Sequence, residues 1–232
     1  MVRTLSETVI IPVAGVILTF VLCYELITMI IERNNMADFE TFTFFKWIFK
    51  TVCAIFILTN TFTIVMAVFA LAQNVVNNSA AVITDSVAVT ISMADFEASL
   101  RAMGWGELLA IYMESIVISF GMRIMSVIIF VIIYGRMIQI YMTVSVAPIP
   151  FATMVNREWG NIGTNYLKSL FALAFQGFLI MVCVAIYAIL LATITTSENV
   201  HAMMWQTIYI TVVLCFTLFQ TGNLARAIFG GH

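Results

Sequence analysis

The sequence predicts an all-α, polytopic membrane protein with five transmembrane helices, the third long and protruding on the external side, the amino terminus outside and the carboxyl terminus in the cytoplasm. Three observations predict it. Of 232 residues, 62% are apolar and only 9% charged, and the mean hydropathy of +1.07 lies far above that of water-soluble domains. The apolar residues fall in runs long enough to cross a hydrocarbon core of ~30 Å, which takes ~20 helical residues. The connections between runs are too short for a soluble domain of ordinary size, so residues 1–232 are read as a single transmembrane domain.

The first span, residues 9–31, follows "SET" at Ser6–Thr8, a helix-start pattern, with Pro12 in the opening turns where a missing N–H is least costly. A cleaved signal peptide is the competing reading, but the apolar stretch is too long and "IIERNNMADFE" lacks a small-x-small cleavage pattern. The second span, residues 44–72, is entered through Lys46 and Lys50 with Trp47 between them, a headgroup-level anchor, and ends near "AQNVVNNS". An external segment, residues 73–106, carries Asp85, Asp95, Glu97 and Arg101, with an interfacial or partner-packed helix expected over Met93–Met103.

The third run, residues 108–147, is close to twice the length a bilayer requires. It reads as one protruding helix, or as a surface piece and a span divided at Gly121. The fourth and fifth spans are residues 166–193 and 203–222, leaving "NLARAIFGGH" as a short end. With the amino terminus outside, Arg33, Lys46, Lys50, Arg136, Arg157, Lys168 and Arg226 lie on the cytoplasmic side and only Arg3 and Arg101 outside, in accord with the positive-inside rule; Arg123 is left out because its depth is ambiguous.

Several function classes drop out. The net charge of −2 and the scattered basic residues form no nucleic-acid surface. Cys23, Cys53, Cys183 and Cys215 all lie in apolar runs without paired spacing, and His201 and His232 form no cluster, so neither a disulfide, a metal nor a cofactor is expected. A phosphate loop and a nucleophile elbow are both missing, which speaks against an enzyme. No internal repeat marks the duplicated halves common in secondary transporters.

Polar residues inside the spans are the candidate functional groups. Glu25, Glu114 and Arg123 would each cost roughly 2.5–3.5 kcal/mol at mid-membrane on insertion scales, so each needs a partner, water or an escape route. Glu25 can snorkel or face a lumen. Glu114 and Arg123, nine positions apart, fall on opposite helix faces and need different neighbours; a chamber-facing role stands beside simple solvation. Gly160, Gly163, Ser169, Ala172 and Gly177 let backbones approach in the fourth span. Gln176, like Gln139, Gln206 and Gln220, suits hydrogen bonding between helices. The methionines read as adaptable filling.

Pro148 and Pro150 donate no backbone hydrogen bond and push Ala147 and Ile149 from helical geometry, so the third helix must end or kink there. Arg157 and Trp159 follow in a short polar turn that reads as cytoplasmic. The order of an aliphatic helix, "YMTVSVAPIPF", a Trp-bearing turn, "NYLKSLFALAF" and one further span, over about residues 124–195, resembles the TrbL-like family, the polytopic inner-membrane subunit (sixth VirB component type) of type IV secretion and conjugation machines.

The resemblance implies a homo-oligomeric platform, a pentamer, in a bacterial cell membrane, contributing to the passage for DNA or protein as transient cargo. Its partners would be membrane lipids, other subunits of the machine and cytoplasmic ATPases. Pro148, Pro150, Arg157 and Trp159 would then form a docking turn, Glu114 and Arg123 would face an external chamber, and the third helix would line part of the ring's interior. The short external segment and the lack of an extended soluble domain after Ala227 depart from the family and suggest a compact version from a Gram-positive integrative conjugative element. Two other classes compete: a small-solute permease or ion-conducting subunit using Glu25 and Arg123 near the midplane, and a scaffolding membrane protein without a pore.

Overall fold

The computed structural model describes residues 2–32, 41–86, 97, 100, 101, 103–194 and 200–230. No strand occurs among them. The elements are α1 (Val2–Leu5), a π-helical segment (Ser6–Ile10), α2 (Ile11–Glu32), α3 (Thr41–Thr59), α4 (Thr61–Ser86), α5 (Trp105–Val146), α6 (Pro148–Thr153), α7 (Gly160–Ile194) and α8 (Val200–Phe229). Five helical stretches are long and apolar enough to cross a membrane: Val2–Ile31, Thr61–Ala81, Trp105–Val146, Gly160–Ile194 and Val200–Phe229. Most of the interfacial helix expected over Met93–Met103 lies outside the described residues, as does Arg33.

Several boundaries differ from the expectation, each for a local reason. The first helix begins at Val2, and "SET" enters a π-helical turn. Pro12 has no N–H to give the Thr8 carbonyl, and the ladder widens so that the Ile11 N–H reaches Ser6 O, five residues back. The second run divides at Asn60. Thr59 Oγ1, Asn60 Nδ2 and Thr61 Oγ1 each donate to the carbonyl four residues back, at 3.0, 2.9 and 2.9 Å, and such back-bonding competes with the backbone ladder. Beyond it α4 contains neither Gly nor Pro and stays helical past Ala72 as far as Ser86.

The third run is one helix. α5 holds 42 residues, about 63 Å at 1.5 Å per residue, and Gly121 does not interrupt it. A Cβ at Gly121 would meet Ile208 Cδ1 at 3.7 Å, an ordinary contact, so this glycine marks neither a break nor a forced approach.

The chain forms two compact units whose borders fall inside helices: Met1–Ala72, Met137–Phe175 and Ala225–His232 in one, Gln73–Arg136 and Gln176–Leu224 in the other. In the first, the short helix α6 is the hub, packing against α2, α3 and the π segment. Ala152 of α6 joins Ala14, Leu18 and Leu22 of α2 and Ala54 and Leu58 of α3, while Phe151 joins Val65 of α4, Val144 of α5 and Leu170 of α7. Between apolar helices in lipid, this close packing supplies what the hydrophobic effect supplies in water.

The second unit has a legible register. Glu114, Gly121 and Met125 of α5 meet His201, Ile208 and Cys215 of α8 in the same order, so these helices run parallel. Gln176 and Tyr187 of α7 bond Thr221 and Thr211 of α8 in reversed order, so that pair is antiparallel.

Candidate functional site

The break in the long third run is built from α6 and the turn after it. Ala147 keeps helical angles, φ −48° and ψ −41°, which corrects the expectation that Pro148 would expel it from the helical region. The first N–H groups of a helix have no acceptor within it, so prolines at the start of α6 forfeit no bond. The prolines therefore begin a helix as much as they end one. Neighbouring donors bridge the junction: Ala147 N–H to Val144 O at 3.4 Å and Phe151 N–H to Ala147 O at 3.3 Å.

Pro148 is buried. Thr153 Oγ1 donates to Pro150 O at 2.8 Å, holding that carbonyl in place. Over it passes Gly163 of α7, where a Cβ would stand 2.6 Å from Pro150 O and would collide with the Met154 side chain. At Gly160 a Cβ would find Met154 O at 3.5 Å, so this glycine is not sterically required.

The pivot of the turn is Asn156, a residue the sequence reading did not single out. It is 3% exposed, and its Oδ1 accepts the Glu158 N–H at 2.7 Å and the Trp159 N–H at 3.2 Å, while its backbone carbonyl accepts the Gly160 N–H at 2.8 Å. The only sequence sign of it is an Asn three residues before a Trp-Gly pair, an Asx-turn composition. Trp159 stacks on both Phe20 and Tyr24 of α2, ring centroids 5.7 Å apart in each case, and Glu158 Oε2 accepts the Tyr24 hydroxyl at 3.0 Å. Trp159 is thus engaged within the chain, and Arg157 and Glu158 are the exposed members of the turn. Asn156→Ala leaves two part-buried N–H groups without their acceptor and is expected to lower stability by about 1–2 kcal/mol. Thermal unfolding of the purified protein in detergent, followed by Trp fluorescence, checks this; an unchanged midpoint removes Asn156 as the pivot.

The other polar candidates separate. Glu25 Oε1 accepts from Lys50 Nζ at 2.6 Å, tying α2 to α3. Glu114 Oε2 pairs with His201 Nδ1 at 2.6 Å, tying α5 to α8. Arg123 is exposed on the opposite face of α5, as the nine-residue spacing requires, and has no ion-pair partner among the described residues.

A polar layer went unread in the sequence. Arg136 is not at the end of its helix but ten residues inside it, half-buried with its guanidinium against Gly177, where a Cβ would stand 2.7 Å from Nη2. Beside it, Gln176 Nε2 reaches Thr221 Oγ1 at 3.5 Å, and Gly222 admits Gln176. The sign was available: a second Arg within an unbroken apolar run. Ser169 is half-buried and Ala172 is 1% exposed. Among the described residues no three His, Cys, Asp or Glu side chains gather as metal ligands.

A family described as TrbL/VirB6 plasmid conjugal transfer like protein matches residues 1–148. The match covers α1 to α5 and the first proline of α6, whereas the resemblance read in the sequence centred on residues 124–195; the two overlap at 124–148. No curated protein and no solved structure matches the chain.

Proposed function

Because the chain belongs to the TrbL/VirB6 plasmid conjugal transfer like family, and is thereby a multi-pass membrane component of a conjugal transfer system, we propose that it is the platform subunit of that machine's channel, assembled as a homo-oligomeric ring, a pentamer, in the cytoplasmic membrane. The family match over residues 1–148 carries this reading. The geometry that supports a ring is α5, which spans more than a bilayer and exposes large apolar side chains along its whole length, among them Leu109, Phe120, Val131 and Met142.

In this reading the amino terminus is outside, the carboxyl terminus inside, and the amino-terminal part of α5 protrudes externally. The turn around Asn156 then faces the cytoplasm, where Arg157 offers a charge to the ATPases that deliver cargo. The small residues Gly163, Ser169, Ala172 and Gly177, spread around α7 rather than on one face, serve the interior of the fold, leaving the outer faces of the helices for contacts between copies. The chain itself performs no chemistry; nucleotide hydrolysis by its partners drives transfer.

A donor strain deleted for this chain is expected to lose conjugal transfer and to regain it with the full chain supplied in trans. The complementing copy, fused at its carboxyl end to a reporter active only in the cytoplasm, should give signal. Transfer unchanged by the deletion overturns the function, and a silent reporter on a transfer-competent chain overturns the orientation.

A further inference from the structure

Within the second unit, α7 and α8 close on each other unevenly. At Gln176 they are near, since a Cβ at Gly222 would stand 3.3 Å from Gln176 Nε2. Two turns further along α7 a groove opens between them. Positions 183, 186, 187 and 190 of α7 and 210, 213, 214 and 217 of α8 line it, and it holds about 350 Å³ counting its open side. On each helix these positions are i, i+3, i+4 and i+7, so two matched stripes face each other over about 10.5 Å at 1.5 Å per residue.

Tyr187 keeps the stripes from meshing. Thr211 Oγ1 gives its one hydrogen to Thr207 O at 2.7 Å, so in its 3.1 Å contact with Tyr187 the tyrosine hydroxyl is the donor. The ring therefore reaches from one helix to the other as a strut, and Thr211, 3% exposed, is its fixed anchor.

The lining selects the occupant. None of the eight side chains is charged. Both hydroxyls are spent, that of Tyr187 on Thr211 and that of Thr217 on Val213 O and Leu214 O at 2.6 and 3.0 Å. A polar headgroup thus finds neither a cation nor a hydroxyl donor there. A second helix is refused for another reason. Close helix contacts in lipid use small residues, as α7 does at Gly163, whereas the walls here are Ile186, Leu190, Ile210 and Val213. Three of these are β-branched and stiff at χ1, and they hold a partner's backbone away from Leu214, which is 7% exposed at the floor. A flexible unbranched chain can enter. The groove is also shorter than the roughly 15 Å of hydrocarbon in one leaflet, so one acyl chain can run its whole length. Left empty, the walls would forfeit their dispersion contacts.

We propose that the groove between α7 and α8 is a lipid site that takes one acyl chain of a membrane phospholipid, retained as part of the structure while the surrounding lipid exchanges. The site goes beyond the functional reading above and does not depend on the ring.

Photolabelling tests it. The full chain is placed in nanodiscs of phosphatidylethanolamine and phosphatidylglycerol, a fraction of which carries a diazirine midway along one acyl chain, and adducts are mapped by mass spectrometry. Val212 and Phe219 on the opposite face of α8, 43% and 61% exposed, report bulk lipid. Adducts on Tyr187 and Leu214 should outnumber those on the two controls about tenfold, although Leu214 is far less exposed. Cys183→Phe and Thr217→Phe fill the groove from opposite helices, and each should bring the groove adducts down to the control level while the controls keep theirs. Groove labelling no higher than the controls in the natural chain overturns the proposal, whatever the variants do. So does groove labelling that persists in a filled variant with an unchanged melting temperature. In a chain whose native cysteines are serine, crosslinking of Val213→Cys between copies in native membranes also overturns it, because the groove then seats a second copy.

Discussion

Replacing Gly163 by alanine is expected to produce the largest destabilisation of any single methyl added to α7. The new Cβ would lie 2.6 Å from Pro150 O, and that carbonyl has nowhere to go. It belongs to a proline, it is bonded by Thr153 Oγ1, and its helix is the buried hub of the first unit. Overpacking typically costs about 1–3 kcal/mol, and a fixed backbone atom puts this case near 3 kcal/mol. At about 2–4 °C per kcal/mol for a chain of this size, the melting temperature in detergent should fall by roughly 6–12 °C. Gly177→Ala meets the tip of the Arg136 side chain, which can shift, and should cost less. Gly160→Ala meets only an ordinary contact and should cost little. If Gly163→Ala and Gly160→Ala melt together, α7 does not pass over α6 as closely as described.

That ordering shows where sequence reading reaches its limit. The small residues of α7 recur at spacings that invite a close helix, and that much is visible one-dimensionally. Which glycine is indispensable depends on an oxygen thirteen residues earlier in the chain, held by a hydroxyl three residues beyond it. The proline pair was visible as a break, yet whether a proline ends one helix or begins the next depends on whether the chain can stay in the helical region across Ala147, which is settled by packing around Phe151 and Ala152. Local rules failed where neighbouring side chains reassigned backbone bonds, as at Asn60 and in the π turn before Pro12.

Partners were harder to read than faces. Periodicity alone put Glu114 and Arg123 on opposite sides of their helix, and the structure places them so. It could not reveal that Glu114 meets His201 or that Glu25 meets Lys50, because those pairs join residues from different helices and depend on helix register. Arg136 stood out as a second Arg within an unbroken apolar run, but its polar layer exists because Gly177 and Gln176 come level with it, which the run alone does not reveal.

Breaking the Glu25–Lys50 pair is the second large effect, and its asymmetry is informative. The two side chains meet at 2.6 Å, with Glu25 17% and Lys50 38% exposed. Removing one partner of a buried pair costs about 3–5 kcal/mol, and the half-exposed lysine reduces that to roughly 2–3 kcal/mol. Lys50→Met should be the worse single change, because a short carboxylate is left in an apolar setting. Glu25→Leu leaves an ammonium on a long stem that can reach the headgroups. The double variant Glu25→Leu, Lys50→Met removes both charges and should recover most of the loss, since apolar replacements of buried pairs are often neutral or stabilising. Melting temperatures of the four proteins give the coupling directly, and additive losses would mean that the pair does not form in the membrane. Conjugal transfer by the double variant then decides what Glu25 is for. A tie between α2 and α3 predicts that transfer survives along with stability, whereas a stable double variant unable to transfer would move Glu25 from the scaffold into the passage.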